Sequence, residues 1–331
     1  MKRSTWMMVS LLVTMAMITA ACGDDDDETT TTTVGGDDTT TTTAAPKFDS
    51  GTTMATLQEK GKITVGTKFD QPGFGQQNPA TSKVEGFDVE IAKLIAVSIF
   101  GGDVESVDSK IEFVEAVSAN REPFIKDGRV DIVVATYTIN DKRKEVVDFA
   151  GPYFVAKQDI MVKADNTTIK GVEDLNGKSV CTVKGSTSEK NLLAKAPQAK
   201  VELFPTYSEC AQALVDDRVV AVTTDNTILA GLIKANTTPL KLVENPFSDE
   251  PYGIGVKKGD DAFRAFVNDR LEEIYEDGQW EKSFEATLGK IGLKTPEPPT
   301  IDRYTAGAAA TTSTSSTGGP AGATASSTTK P

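Results

Sequence analysis

Between about Gly51 and Thr300, short apolar runs alternate with amphipathic stretches at helical spacing, the rhythm of an α/β chain with mainly parallel sheets. Lys62 to Thr67 reads as the first strand, and Gln71 to Gly75, carrying Pro72, as a sharp loop. From Phe87 to Phe100 the residues Phe87, Ile91, Leu94, Ile95 and Ile99 share one helical face. Lys110 to Val114 is the second strand, and Glu122 to Asp127 belongs to a helix ended by Gly128. Ile132 to Ala135 is a four-residue apolar run, as expected of a strand buried on both faces. Gln158 to Lys163 is another strand, and the loop Gly171 to Asn176 leads into the strand Lys178 to Val183. A second α/β unit follows: helix Glu189 to Ala194, strand Val201 to Phe204, helix Ser208 to Asp216, strand Val219 to Thr223 and helix Thr227 to Ala235. Tyr252 to Lys257 then looks like a strand returning to the first unit, covered by helices Ala262 to Asp277 and Gln279 to Thr287.

The central stretch carries the densest chemistry. Thr136, Tyr137 and Thr138 leave a buried strand, and Asn140 or Asp141 caps a helix running through Lys142, Arg143 and Lys144. Free N–H groups at the helix start, the Thr138 hydroxyl and the planar fork of Arg143 together suit a small anion such as a carboxylate. The same residues also read as capping threonines ahead of a solvated arginine.

Composition changes this picture by exclusion. The 331 residues are long enough for two domains, but both ends are low-complexity and add nothing to a core. The net charge of −13 comes partly from Asp24 to Asp27, Glu28, Asp37 and Asp38, and no basic patch suggests nucleic acid. Histidine is absent, which removes histidine triads, histidine general bases and the common zinc ligand sets; no metal or cofactor is expected.

Lys2 and Arg3 precede an apolar stretch from Trp6 to Ala21, too short and too interrupted for a membrane span, so residues 1–21 read as an export signal. Ile18-Thr19-Ala20-Ala21-Cys22-Gly23 resembles a bacterial lipobox, with Thr19 where an aliphatic residue is usual. Lipidated at Cys22, the chain would stay on the outer face of the cytoplasmic membrane; the alternative is a plain signal peptide with an incidental cysteine. Residues 22–50, rich in Asp, Thr and Gly, read as an extended tether, and 303–331, rich in Ala, Thr, Ser and Gly, as a disordered tail. The remaining Cys181 and Cys210 form either a disulfide, favoured in an exported domain, or two separate buried thiols.

An ordered set of blocks resembles the bacterial solute-binding proteins for polar amino acids, family 3. It comprises Val84-Glu85-Gly86-Phe87-Asp88-Val89-Glu90-Ile91-Ala92; Gly128 to Ile132 through Thr138, Arg143, Asp148-Phe149 and Pro152-Tyr153; Asp174 to Val180 with Gly185-Ser186-Thr187; and Thr224-Asp225. The match spans about Leu57 to Leu293 and is similar above all to actinobacterial glutamate-binding lipoproteins, which share the opening Val65-Gly66-Thr67-Lys68-Phe69-Asp70-Gln71 and a cysteine before the Gly-Ser-Thr turn. The resemblance implies a type II periplasmic-binding-protein fold: two mixed, mostly parallel sheets in two α/β lobes joined by two crossover strands and closing on a ligand by hinge motion. Lobe one would be 51–155 plus 248–302, and lobe two 156–247.

The same resemblance assigns roles. Arg143, helped by Thr138 and by backbone near Thr136, would hold the ligand α-carboxylate, and Asp225 the ammonium. Ser186 and Thr187 would donate from lobe two, with Tyr207 and Lys184 at the rim. Lys68, Ser118 and Arg121 occupy positions where relatives that bind aspartate or glutamate carry cations and polar groups, so a cationic pocket would favour a side-chain carboxylate over an amide. Phe69 and Phe74 would cover the ligand or belong to the core. The function implied is a monomeric, membrane-tethered receptor for glutamate or aspartate, serving an ABC permease or a membrane sensor. A preference for glutamine or asparagine, and a cleft enzyme such as a dehydratase, are the other readings.

Overall fold

The structure, a computed structural model, describes residues 44–304. The expected signal segment, Cys22 and most of the tether and tail lie outside the described residues. Helix α1 (Thr53–Lys60) begins where Thr52 accepts Ala55 N–H and ends at Gly61, whose φ of 75° suits glycine. The buried strand β1 (Ile63–Thr67) leads to the short strands β2 (Asp70–Gln71), β3 (Gly75–Gln77) and β4 (Val84–Glu85), then to helix α2 (Phe87–Phe100), whose apolar face is buried as its spacing requires. Strand β5 (Ile111–Glu115), helix α3 (Arg121–Lys126), strand β6 (Ile132–Val133), helix α4 (Asp141–Lys144) and the 17-residue strand β7 (Val147–Lys163) follow. The second α/β unit holds β8 (Ser179–Val183), α5 (Thr187–Lys195), β9 (Lys200–Phe204), α6 (Tyr207–Val215), β10 (Ala221–Asp225), α7 (Asn226–Ala235) and β11 (Leu240–Leu242). Strand β12 (Ser248–Lys257) returns, and α8 (Asp261–Glu276) and α9 (Gln279–Thr287) close the described chain.

The main sheet runs β5-β1-β6-β12-β7-β10-β8-β9, with β11 also on β7. β1 pairs in parallel with β5 and β6, and β8 pairs in parallel with β9 and β10. Between these two parallel groups lie β7 and β12, antiparallel to each other from Val147↔Lys257 to Gln158↔Ser248. The two expected sheets are thus two halves continuous through their crossover strands. β7 is buried at both ends, but Val155 in its middle is 45 % exposed, marking the passage between halves.

Several elements differ from their sequence outline for local reasons. β6 stops after Val133 because Thr136 turns to φ 43° and leaves the sheet direction. β7 begins eleven residues before the expected Gln158, over a segment whose Gly151 and Pro152 hide strand character. Helix α1 and the β2-β3-β4 sheet have no counterpart in the outline, since strands of two or three residues carry no readable period. Phe48, placed in the tether, packs its ring on Phe266 at 5.3 Å between centroids. Arg303 and Tyr304, placed in the tail, bind Asp269 and Glu272 and the β7 backbone at Phe149. Cys181 on β8 and Cys210 on α6 are joined as a disulfide, their Cα atoms 5.4 Å apart. Among the described residues no helix is long and apolar enough to cross a membrane.

Candidate functional site

Two pairs of parallel strands, β1 with β6 and β8 with β10, run in opposite directions and end at one place. β1 delivers Lys68, β6 delivers Thr136 to Thr138, β8 delivers Gly185 to Thr187, and β10 delivers Asp225. In open α/β sheets ligands bind outside the carboxyl ends of strands, where helices begin. Here the helix starts are capped from within: Asn140 accepts Arg143 N–H at 3.0 Å, and Ser186 accepts Glu189 N–H at 3.0 Å. Asp225 immediately precedes α7, yet its side chain makes no cap bond, which leaves the carboxylate for another task.

The two halves meet over this point. Thr138 Oγ1 and Thr187 Oγ1 are 3.3 Å apart, Arg143 Nη2 donates to Gly185 O at 3.5 Å, and Tyr207 N–H donates to Asp70 Oδ2 at 2.8 Å.

The cations are buried and built in. Arg143, only 2 % exposed, donates through Nη1 to Thr138 O at 2.6 Å and through Nε to Glu122 Oε1 at 3.1 Å. Burial, then the neighbouring Arg121, lowers its pKa to about 10, which keeps it charged at neutral pH. Arg121 donates to the carbonyls of Ser118, Ala135 and Thr136 at 3.3, 3.0 and 3.3 Å. The Tyr137 ring lies between the two guanidiniums, 4.4 Å from Arg121 and 4.8 Å from Arg143. Lys68 is fully buried; its Nζ lies 3.8 Å from Asp70 Oδ1, 5.9 Å above the Tyr207 ring, and has no hydrogen-bond partner. Burial pulls its pKa down, opposed by Asp70.

The acids complement them. Asp225 Oδ2 accepts from Tyr252 OH at 2.5 Å, while burial, aided by Glu250, pushes its carboxyl up to about 8. Glu250 accepts from Thr138 Oγ1 at 2.8 Å, Asn191 Nδ2 at 2.9 Å and Ser248 Oγ at 2.7 Å, so it ties β12 to both halves. Asp88, pushed up to about 6 by burial, accepts Thr136 N–H at 2.9 Å and Tyr153 OH at 2.6 Å. These bonds hold Thr136 in its left-handed conformation.

Ser118, Arg121, Thr136, Thr138, Arg143, Ser186, Lys68 and Asp225 are therefore brought together and buried, with Thr187 beside them. The Thr136 backbone is already engaged, its N–H by Asp88 and its carbonyl by Arg121. Tyr207 is not at the rim: it is 3 % exposed and its hydroxyl donates to Ser188 Oγ at 3.2 Å, whereas Lys184 is exposed. Phe74 is core, packed edge-on against Phe87, Phe154 and Tyr252. Sequence reading missed the part played here by Asp70 and Gln71, on a two-residue strand, by Glu250, ahead of the expected start of β12, and by Tyr252, the first residue of the strand as expected.

Among the described residues, eight buried side-chain polar atoms lack a hydrogen-bond partner, and seven fall in this region: Thr67 Oγ1, Lys68 Nζ, Asp70 Oδ1, Gln71 Nε2, Tyr137 OH, Asp225 Oδ1 and Thr227 Oγ1. Buried polar groups are ordinarily paired, so such a concentration of donors and acceptors is the mark of a site shaped for a polar molecule.

This fold and cleft define a binding protein. Residues 63–290 match the family described as bacterial extracellular solute-binding proteins, family 3, and the chain belongs to it. It is 41% identical over 241 residues to the ABC transporter glutamine-binding protein GlnH of Bacillus subtilis, covering 72% of this chain and 86% of that protein. It is 39% identical over 246 residues to the glutamate-binding protein GluB of Corynebacterium glutamicum, covering 72% and 82%. Among solved structures, an ancestral arginine-binding protein bound to glutamine is similar with a TM-score of 0.63 at 39% identity, covering 69% of this chain and 98% of that one.

Proposed function

We propose that this protein is an extracytoplasmic receptor that closes on glutamate or aspartate between its halves and delivers it to an ABC importer. The observation that carries the reading is the cluster of unpaired buried donors and acceptors at the ends of β1, β6 and β10. Arg143 with Thr138 and Thr187 takes the α-carboxylate, and Asp225 takes the ammonium through Oδ1. Lys68 with Arg121 and Ser118 faces the side-chain end, while Ser186 and Tyr207 complete the wall from lobe two. Lobe one is taken as 51–155 plus 248–302 and lobe two as 156–247, with Cys22 as the lipid anchor.

Relatives that bind glutamine and glutamate are about equally similar, so the choice of acid rests on Lys68. A buried ammonium without a hydrogen-bond acceptor is costly, and a ligand carboxylate offsets more of that cost than an amide does. The similarity to a protein named for ABC transport supports the importer as partner.

The test is calorimetric titration of refolded, ligand-free protein with glutamate, aspartate, glutamine and asparagine. The acidic pair is expected to bind more tightly, with Arg143→Ala abolishing binding and Lys68→Ala eroding the preference for acid. Tighter binding of the amides would sink the acidic assignment; no binding of any of the four would sink the receptor reading.

A further inference from the structure

Gln71 is fully buried on the two-residue strand β2, its backbone pinned by pairing with Gly75 and by Phe74 N–H donating to its carbonyl at 3.1 Å. Its Oε1 accepts from Thr136 Oγ1 at 3.0 Å. The same hydroxyl lies 2.9 Å from the Ala135 carbonyl, which also accepts Arg121 Nη1 at 3.0 Å, so it is held between that carbonyl and the Gln71 amide. Thr136 is itself fixed by Asp88 at φ 43°. The amide is therefore oriented by a chain of three side chains, and the group left without a partner is the donor Nε2, three residues from the equally unpaired Lys68 Nζ. Among the described residues Gln71 Nε2 has no acceptor and Lys68 Nζ has only Asp70 Oδ1, 3.8 Å away, so a further oxygen acceptor would satisfy both donors.

We propose that Gln71 is a selectivity-determining residue of the site, presenting Nε2 to a side-chain oxygen of the bound amino acid beside Lys68, with Thr136 as the residue that positions it. The assignment rests on the receptor reading above. It divides recognition: Lys68 senses charge, whereas Gln71 senses the polarity of the hydrogen-bonding group. A glutamate at position 71 would keep one oxygen for the Thr136 hydroxyl and turn an acceptor toward the ligand, favouring an amide NH2.

Calorimetry with glutamate and glutamine tests this on the wild type, Gln71→Leu, Gln71→Glu, Thr136→Ala and Thr136→Ser, each first shown to be folded by its thermal transition. Gln71→Leu is expected to weaken glutamate about tenfold or more, as loss of a hydrogen bond to a charged group would. Gln71→Glu is expected to shift the glutamate-to-glutamine affinity ratio toward glutamine by about tenfold or more on the same scale. Thr136→Ala frees the amide to rotate and lowers discrimination, and Thr136→Ser, which returns the hydroxyl, recovers it relative to Thr136→Ala. An unchanged ratio in Gln71→Glu and Thr136→Ala, in proteins that still bind, overturns the Gln71 assignment and leaves the receptor reading standing. Absence of binding by the wild type overturns both.

Discussion

Asp70, at the end of the β1–β2 turn in one half, accepts the backbone N–H of Tyr207 at 2.8 Å and of Ser208 at 3.4 Å, the first two residues of α6 in the other half. A carboxylate at a helix N-terminus meets both free N–H groups and the positive end of the dipole. Because the partners belong to different halves, the contact exists only when they are together, and Lys68 Nζ, 3.8 Å from Asp70 Oδ1, links it to the proposed side-chain end of the site. Asp70→Ala is therefore expected to raise the ligand dissociation rate about tenfold, with the association rate little changed, as for loss of a charge-assisted hydrogen bond. Asp70→Asn, which keeps an acceptor, should do less. Stopped-flow binding measures both rates; a change confined to association would remove the latch.

With Asp225 facing the ligand ammonium as proposed, binding is expected to release a proton. The Asp225 carboxyl is pushed up to about 8 by burial and by Glu250, against an ordinary value of 3.8. The sign follows from linkage: between about pH 4 and 8 the ligand-free closed form holds a proton that the unfolded chain gives up, so its stability falls as pH rises through that window. Asp88, pushed up to about 6, adds the same trend over a narrower range. A ligand ammonium against Asp225 Oδ1 would favour the carboxylate, so up to one proton is expected to be released per ligand at pH 7 where Asp225 holds its proton before the ligand arrives. Titration in buffers of different ionisation enthalpy reads the number directly, and Asp225→Asn should reduce it toward zero. A wild-type value of zero would show that Asp225 is ionised before the ligand arrives.

The legible parts of this protein were those with a period. Helices α2 and α9 match their apolar spacing to the residue, and most of the long helices and parallel strands follow within a few positions. Thr138 and Arg143 stood out because a strand end and a helix start can be placed from pattern, whereas Ser186, Thr187 and Asp225 were expected only from the family resemblance; the structure places all five at strand ends or helix starts. Gln71, Glu250 and Tyr252 were not, since Gln71 sits on a two-residue strand and the other two precede or begin a stretch whose partner is β7, about a hundred residues away. Pairing across such a separation leaves no local trace. Tyr207 was placed at the rim because burial of a helix's first residue depends on what the opposite half brings to it.

The Cys181–Cys210 bond joins β8 to α6, the helix whose start Asp70 caps, across a sequence separation of 29. Chain entropy assigns such a crosslink about 3–4 kcal/mol of stability. Replacing both cysteines with alanine should lower the urea unfolding free energy by about 2–4 kcal/mol. A loss below about 1 kcal/mol would mean that the unfolded chain is already restrained there.

The last described residues offer a contest between a conspicuous contact and an inconspicuous one. Arg303 bonds Asp269 at 2.6 Å and Glu272 at 2.7 Å, but its side chain is 41% exposed and the partners more so, a setting in which ion pairs contribute at most about 1 kcal/mol. Tyr304 OH accepts Phe149 N–H at 2.8 Å and donates to Asp148 Oδ1 at 3.2 Å, while its ring lies 3.9 Å from Lys144 Nζ and 4.4 Å from the Arg264 guanidinium. Phe149 is fully buried, so removing the hydroxyl strands a backbone donor at the start of a crossover strand, at a cost of about 1–3 kcal/mol. Tyr304→Phe should therefore destabilise the fold more than Arg303→Ala despite deleting a single atom. Urea unfolding of the two variants side by side decides the order, and the reverse ranking would show that the segment is held by charge.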